Sequence, residues 1–84
     1  MRVVIIDTNY TKSRYAYESN DIDVGYGWFE LLDCEDFEKG DVLEGDFGKF
    51  GELNVHKQFS NNTYHIFNED YGMSLKIVLE KIQK

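Results

Sequence analysis

Seven carboxylates lie within fourteen residues of this chain, and such a cluster could supply acid–base catalysis or ligands for a metal ion. They are Asp33, Glu35, Asp36, Glu38, Asp41, Glu44 and Asp46. Acid–base catalysis requires one carboxyl group to be desolvated so that its pKa rises. The surrounding sequence is polar and turn-like, which favours a solvated acidic surface. We therefore assign no catalytic residue.

A second acidic segment, residues 21–23, has the Asp-x-Asp beginning of a calcium-binding loop. Such a loop needs a glycine at its sixth position and a bidentate glutamate at its twelfth. Starting the loop at Ser19 puts Val24 in place of the glycine, and starting it at Asp21 supplies neither residue. We expect no calcium site here.

The only cysteine and the two histidines, Cys34, His56 and His65, are too widely spaced for a recognisable zinc motif. The histidines are expected on facing strands of a hairpin, as polar cross-strand neighbours. Carboxylates flank Cys34 and oppose formation of the thiolate that a nucleophile needs. Phosphate-binding and dinucleotide-binding glycine motifs are missing. The sequence predicts no metal and no cofactor.

Charge is distributed unevenly over the 84 residues, whose net charge is −7. Residues 1–17 carry a balance of +2, residues 18–53 a balance of −10, and residues 54–84 a balance of +1. Nucleic-acid affinity depends on clustered lysine and arginine, so this balance disfavours a nucleic-acid partner. Without an apolar run long enough to span a bilayer or a disulfide framework, we expect a cytoplasmic protein that does not associate with membranes.

Short alternating or apolar segments, separated by glycine-, asparagine- and aspartate-rich turns, predict an antiparallel sheet. The predicted strands cover residues 2–6, 13–19, 26–33, 41–46, 52–59 and 63–67. Segment 26–33 is apolar on both faces, which is typical of a central strand. Asn61-Asn62 is a predicted hairpin turn, and residues 68–72 form another predicted turn.

One helix is predicted over residues 73–84, where Leu75, Val78, Leu79 and Ile82 form a single apolar stripe expected to be buried. The fold class is therefore α+β. We predict a strongly bent antiparallel sheet or a small open β-barrel of five to six strands, with the C-terminal helix closing one end. Residues 1–84 are predicted to be a single domain.

These features favour a small acidic domain that binds a basic protein surface and acts as a regulator or inhibitor, without enzymatic activity. Carboxylates would steer the partner and aromatic side chains would anchor it. The predicted contact residues are Asp36, Phe37, Glu38, Asp41, Glu44, Asp46, Phe47 and Phe50.

Two alternatives remain open. The outline is similar to that of OB-like barrels, in which aromatic side chains on strands stack on single-stranded nucleic acid. The residues that would form such a face are Arg14, Tyr15, Tyr17 and Trp28. The third possibility is a small hydrolase or ligand-binding module, for which no sequence motif is present.

Overall fold

A closed antiparallel barrel of six strands, with one helix packed on its outside, is the architecture of the protein in a computed structural model that describes all 84 residues. The elements are β1 (Arg2–Asn9), β2 (Arg14–Ser19), β3 (Tyr26–Leu31), β4 (Val42–Glu44), β5 (Gly51–Lys57), β6 (Thr63–Met73) and α1 (Leu75–Gln83). The predicted α+β small barrel is thus confirmed. The barrel is closed because β1 pairs with β2 along one side and with β4 along the other.

The strand order around the barrel is β1-β2-β3-β6-β5-β4, so β3 and β4 lie on opposite sides although they follow each other in sequence. Their connection, residues 32–41, therefore crosses the diameter of one end of the barrel. We call it the strap, and the end that it crosses the strap end. The loop at residues 45–50 lies at the opposite end, which we call the loop end. Residues 20–25 and the junction of β6 with α1 also lie there.

The barrel interior is a cluster of thirteen buried residues that is dominated by aromatic rings. Strand alternation directs Tyr15, Tyr17 and Phe29 inward, and the Tyr15 and Phe29 rings stack with centroids 5.4 Å apart. Phe37 enters this cluster from the strap, and Phe47 enters it from the 45–50 loop. Rings of this size each bury about 150–250 Å², which gives a chain of this length a substantial core.

Helix α1 lies against the outer wall of the barrel, so the expectation that it closes one end was wrong. Its Val78 and Ile82 are buried against Ala16 of β2, and Tyr26 and Trp28 of β3 pack around them. This contact explains why the β3 segment is apolar on both faces: one face fills the barrel and the other is covered by the helix. The ends are closed by Phe37 and Phe47 instead.

The predicted apolar stripe of α1 is only partly buried. Val78 and Ile82 are fully buried and Leu79 is half-buried, but Leu75 is 44% exposed. Ser74 caps the start of the helix, where its hydroxyl accepts a hydrogen bond from the Ile77 amide at 3.3 Å. The structure contains no helix that is both long enough and apolar enough to cross a membrane.

The turn between β1 and β2 binds the carboxyl end of α1. Asn9 Nδ2 donates to the Ile82 carbonyl at 2.7 Å, Arg14 Nη1 donates to that of Lys81 at 3.1 Å, and Lys12 Nζ donates to that of Lys84. Two of these donors are cations, which complement the negative end of the helix dipole. Two of the three basic residues in segment 1–17 therefore anchor the helix.

Candidate functional site at the loop end of the barrel

The predicted contact residues are divided between the two ends of the barrel, because β4 runs between them. Four lie on the strap, Glu44 lies on the outside of β4, and three lie in the 45–50 loop. Gly45 lies four positions after Asp41 along extended chain, a span of about 13 Å at the usual rise of a strand. The eight residues therefore do not form one surface.

At the strap end, Phe37 is buried as a plug and presents no ring to solvent. Its ring lies 5.5 Å from that of Tyr15 and 4.9 Å from that of Tyr64, both in edge contact. The Tyr15 hydroxyl accepts a hydrogen bond from the Phe37 amide and donates one to Asp36 Oδ1, each at 3.3 Å. The predicted surface role of Phe37 is therefore replaced by a structural one.

Several carboxylates of the strap end hold the strap in place. Asp41 pairs with Lys57 at 3.4 Å and also accepts from the Glu38 amide at 2.9 Å. Asp33 accepts from the His65 amide at 2.6 Å. A shallow groove of about 410 Å³ runs beside this part of the strap, lined by residues 33–35 and 62–64. Some carboxylates of the strap are therefore already bound to groups of the barrel strands.

At the loop end, the central residue is Asn68, the only fully buried polar side chain in the molecule. Its Oδ1 accepts from the Tyr17 hydroxyl at 2.8 Å, while its Nδ2 donates to the carbonyls of Phe47 at 3.0 Å and Lys49 at 2.7 Å. Tyr71 donates from its hydroxyl to the Gly48 carbonyl at 3.0 Å. Three consecutive carbonyls of the 45–50 loop are thus fixed by side chains of β6.

The fixed loop presents Phe50 to solvent. Phe47, three residues earlier, is fully buried against Tyr17 at 4.9 Å, whereas Phe50 is 62% exposed. One face of the Phe50 ring stacks on Tyr71, with centroids 4.5 Å apart and planes at 20°. The next residue, Gly51, has a φ of +90°, a conformation that side chains disfavour and glycine accepts. Phe50 is therefore the one aromatic residue of the prediction that is available as an anchor.

Carboxylates are concentrated in the chain segments that meet at this end of the barrel. Residues 20–25, 45–50 and 69–72 contain five of them and a single lysine; the acidic residues are Asp21, Asp23, Asp46, Glu69 and Asp70. The segments are neighbours, because the Gly72 amide donates to the Val24 carbonyl at 2.7 Å. Lys49 pairs with Asp46 at 3.2 Å, with both side chains exposed. The loop end is thus an acidic surface with an aromatic centre.

The alternative nucleic-acid face is not assembled in the structure. Tyr15 and Tyr17 are fully buried inside the barrel and cannot stack on bases. Arg14 and Trp28 lie on the outer wall, where the Arg14 guanidinium sits 5.2 Å from the centre of the Trp28 ring. Trp28 also packs against the helix. The four residues therefore divide between the inside and the outside of the wall.

Both histidines have local partners. His56 Nδ1 lies 3.3 Å from the Thr63 hydroxyl, and His65 Nε2 lies 3.7 Å from Glu52. Groups of three or more histidine, cysteine or acidic side chains placed to hold a metal ion are not found. A hydrogen bond to Glu18 raises the pKa of Tyr26 on the outer wall.

Asn68 and Tyr71 were missed by the sequence prediction, because residues 68–72 resemble a turn. They belong instead to β6, which continues through Met73. Strand alternation gave a usable signal: Tyr64 and Ile66 point inward, so position 68 must also point inward. A polar residue at an inward position requires internal hydrogen-bond partners.

Comparison with known proteins found no matching family model, no matching curated protein and no matching solved structure.

Proposed function

We propose that this chain is a non-enzymatic binding domain that recognises a basic protein surface through the loop end of its barrel. The proposal depends chiefly on one observation: Phe50 is held in an exposed position by a loop whose carbonyls are fixed by Asn68 and Tyr71 of β6. We call the surface formed by Asp23, Asp46, Phe50, Glu69 and Tyr71 the Phe50 face.

Rigid presentation of an aromatic ring favours binding. A partner that covers Phe50 removes apolar surface from water without first having to order the loop, which lowers the entropic cost of association. Aromatic residues at the centre of an interface commonly carry most of its binding energy. The stacked arrangement of Phe50 and Tyr71 has this character, with acidic side chains at its margin.

The charge of the margin favours a basic partner. Complementary charge steers association and raises its rate by about 10–10³-fold, an effect that weakens as salt screens it. If the barrel covers a surface through which the partner binds other molecules, this binding would regulate or inhibit the partner. We also propose a cytoplasmic location, because Cys34 is the only cysteine and small secreted domains usually depend on disulfides.

The partner can be identified by placing a photo-crosslinking residue at position 50 and, as a control, at position 59. Phe59 is 99% exposed at the opposite end of the barrel. We expect a basic protein to be crosslinked from position 50 and not from position 59. Crosslinking from position 59 alone would assign binding to the strap end.

Association rates with that partner then test the role of charge. The variant D23N/E69Q/D46N removes three exposed charges from the Phe50 face, and E35Q/E38Q/E44Q removes three exposed charges elsewhere. We expect the first variant to associate about tenfold more slowly at low salt, with the difference shrinking at high salt. Equal association rates for both variants would mean that the carboxylates of the loop end contribute to solubility and not to recognition. Binding of the wild type to single-stranded DNA at physiological salt would favour the nucleic-acid alternative instead.

A further inference from the structure

We infer that the partner contributes an arginine, whose guanidinium group lies flat on the free face of the Phe50 ring. This inference rests on the proposed function and specifies the chemistry of the side chain that the Phe50 face receives.

The geometry of the aromatic pair leaves one ring face available. Tyr71 covers the other face of Phe50 at 4.5 Å and 20°, and Phe50 is nevertheless 62% exposed. Tyr71 is itself held by its hydrogen bond to the Gly48 carbonyl. A planar group can therefore add a third layer to an existing stack without any movement of the two rings.

The acidic surroundings favour a cation as the third layer of the Tyr71–Phe50 stack. Asp46 already holds a cation of the same loop, the Lys49 ammonium, at 3.2 Å. Because both partners of this pair are exposed, the pair contributes little to stability and can be exchanged for a partner's cation. The face of an aromatic ring also attracts positive charge through its quadrupole.

Arginine suits this position better than lysine. Its planar guanidinium can stack on a ring while its N–H groups, which lie in the same plane, donate to a carboxylate. The barrel already contains one arginine–aromatic contact, in which the Arg14 guanidinium lies 5.2 Å from the centre of the Trp28 ring and donates to the Lys81 carbonyl. A lysine ammonium carries the same charge but has no plane to match the stack.

The experiment compares a hexa-arginine peptide with a hexa-lysine peptide by calorimetric titration of the wild type, F50A and F59A. The peptides have the same charge, and the two variants each remove one exposed phenylalanine. We expect the wild type and F59A to bind the arginine peptide roughly three- to fivefold more tightly, and F50A to show no preference. Thermal unfolding of each variant verifies that it is folded.

A second measurement does not depend on any variant. In NMR spectra of the wild-type complex, the side-chain protons of an arginine that stacks on Phe50 should move upfield through the ring current. Equal affinities for the two peptides and unmoved arginine protons would overturn the arginine inference. The proposed function would still stand if both peptides bound in a salt-dependent manner that F50A weakened. If F50A changed the binding of neither peptide, the proposed function itself would fail.

Discussion

The two ends of the barrel are closed in a similar way but differ in where their polar anchors lie. Each end has a buried phenylalanine, Phe37 or Phe47, and a buried tyrosine whose hydroxyl binds near it. At the strap end, the Tyr15 hydroxyl meets the exposed carboxylate of Asp36 at 3.3 Å. At the loop end, the Tyr17 hydroxyl meets the buried Asn68 at 2.8 Å.

This difference decides which end has a surface free for a partner. The strap is held in part by two carboxylates, those of the exposed Asp33 and the half-buried Asp41, which bind groups of β6 and β5. The 45–50 loop is fixed by the buried Asn68 amide and the half-buried Tyr71 hydroxyl, so none of these three bonds to its carbonyls uses a carboxylate. An internal anchor thus leaves the outside of a loop available for recognition.

The largest losses of stability should come from removing the buried phenylalanines that close the two ends of the barrel. F37A and F47A should each lower the free energy of unfolding by about 3–5 kcal/mol, the usual cost of emptying a core phenylalanine site. Denaturant titration measures this, with F59A as a control expected to change stability by less than about 0.5 kcal/mol. Only F47A should also weaken binding at the Phe50 face. Equal loss of binding in both variants would mean that the two ends are not independent.

Removing the polar anchors, Asn68 and Asp36, should lower the free energy of unfolding by smaller and unequal amounts. N68A leaves two carbonyls and the Tyr17 hydroxyl without their partner inside the barrel, and we expect a loss of about 2–4 kcal/mol. D36A removes a partner that water can replace, and we expect a loss below about 1 kcal/mol. Denaturant midpoints would give both values, with N54A as the exposed asparagine control. Similar losses for N68A and D36A would contradict the distinction drawn between the ends.

The smallest effect should be on how stability depends on pH under alkaline conditions. Burial raises the pKa of Tyr17, and of Tyr15, above the ordinary value of 10.0. Because the folded state favours the neutral phenol, the associated stability is present below about pH 10 and is lost as pH rises through the folded-state pKa. We expect Y17F to make stability fall less steeply above pH 10 than in the wild type. An unchanged slope in denaturant titrations between pH 9 and 11 would contradict this.

The sequence predicted the periodic features of the fold and missed those that depend on topology. Alternation located the strands, and the two apolar faces of segment 26–33 indicated a strand covered on both sides. The crossing of the barrel by the strap could not be predicted, because it depends on β4 pairing with β1 rather than with β3. Phe37 and Phe47 therefore resembled surface residues within polar sequence.

The backbone conformation of the hairpin between β5 and β6 also differs from the prediction. The prediction placed a turn at Asn61-Asn62, because asparagine tolerates positive φ. The structure instead has the positive φ at Phe59, at +63°. The predicted acidic contact residues lie mostly on the strap and β4, and only Asp46 among them lies at the loop end. The sequence also could not show that Phe50 would be exposed while Phe47, three residues earlier, is buried.

The strap also has a consequence for the order in which the barrel folds. Strands β1 to β3 and strands β4 to β6 each pair through short connections, so the two halves can form early. The β1–β4 seam can close only after the strap has crossed the barrel. With three residues, β4 is the shortest strand, so its seam with β1 has only three paired positions. The seam between β1 and β4 should therefore open most readily. Native-state hydrogen exchange that is slower in β4 than in β2 would rule out this order.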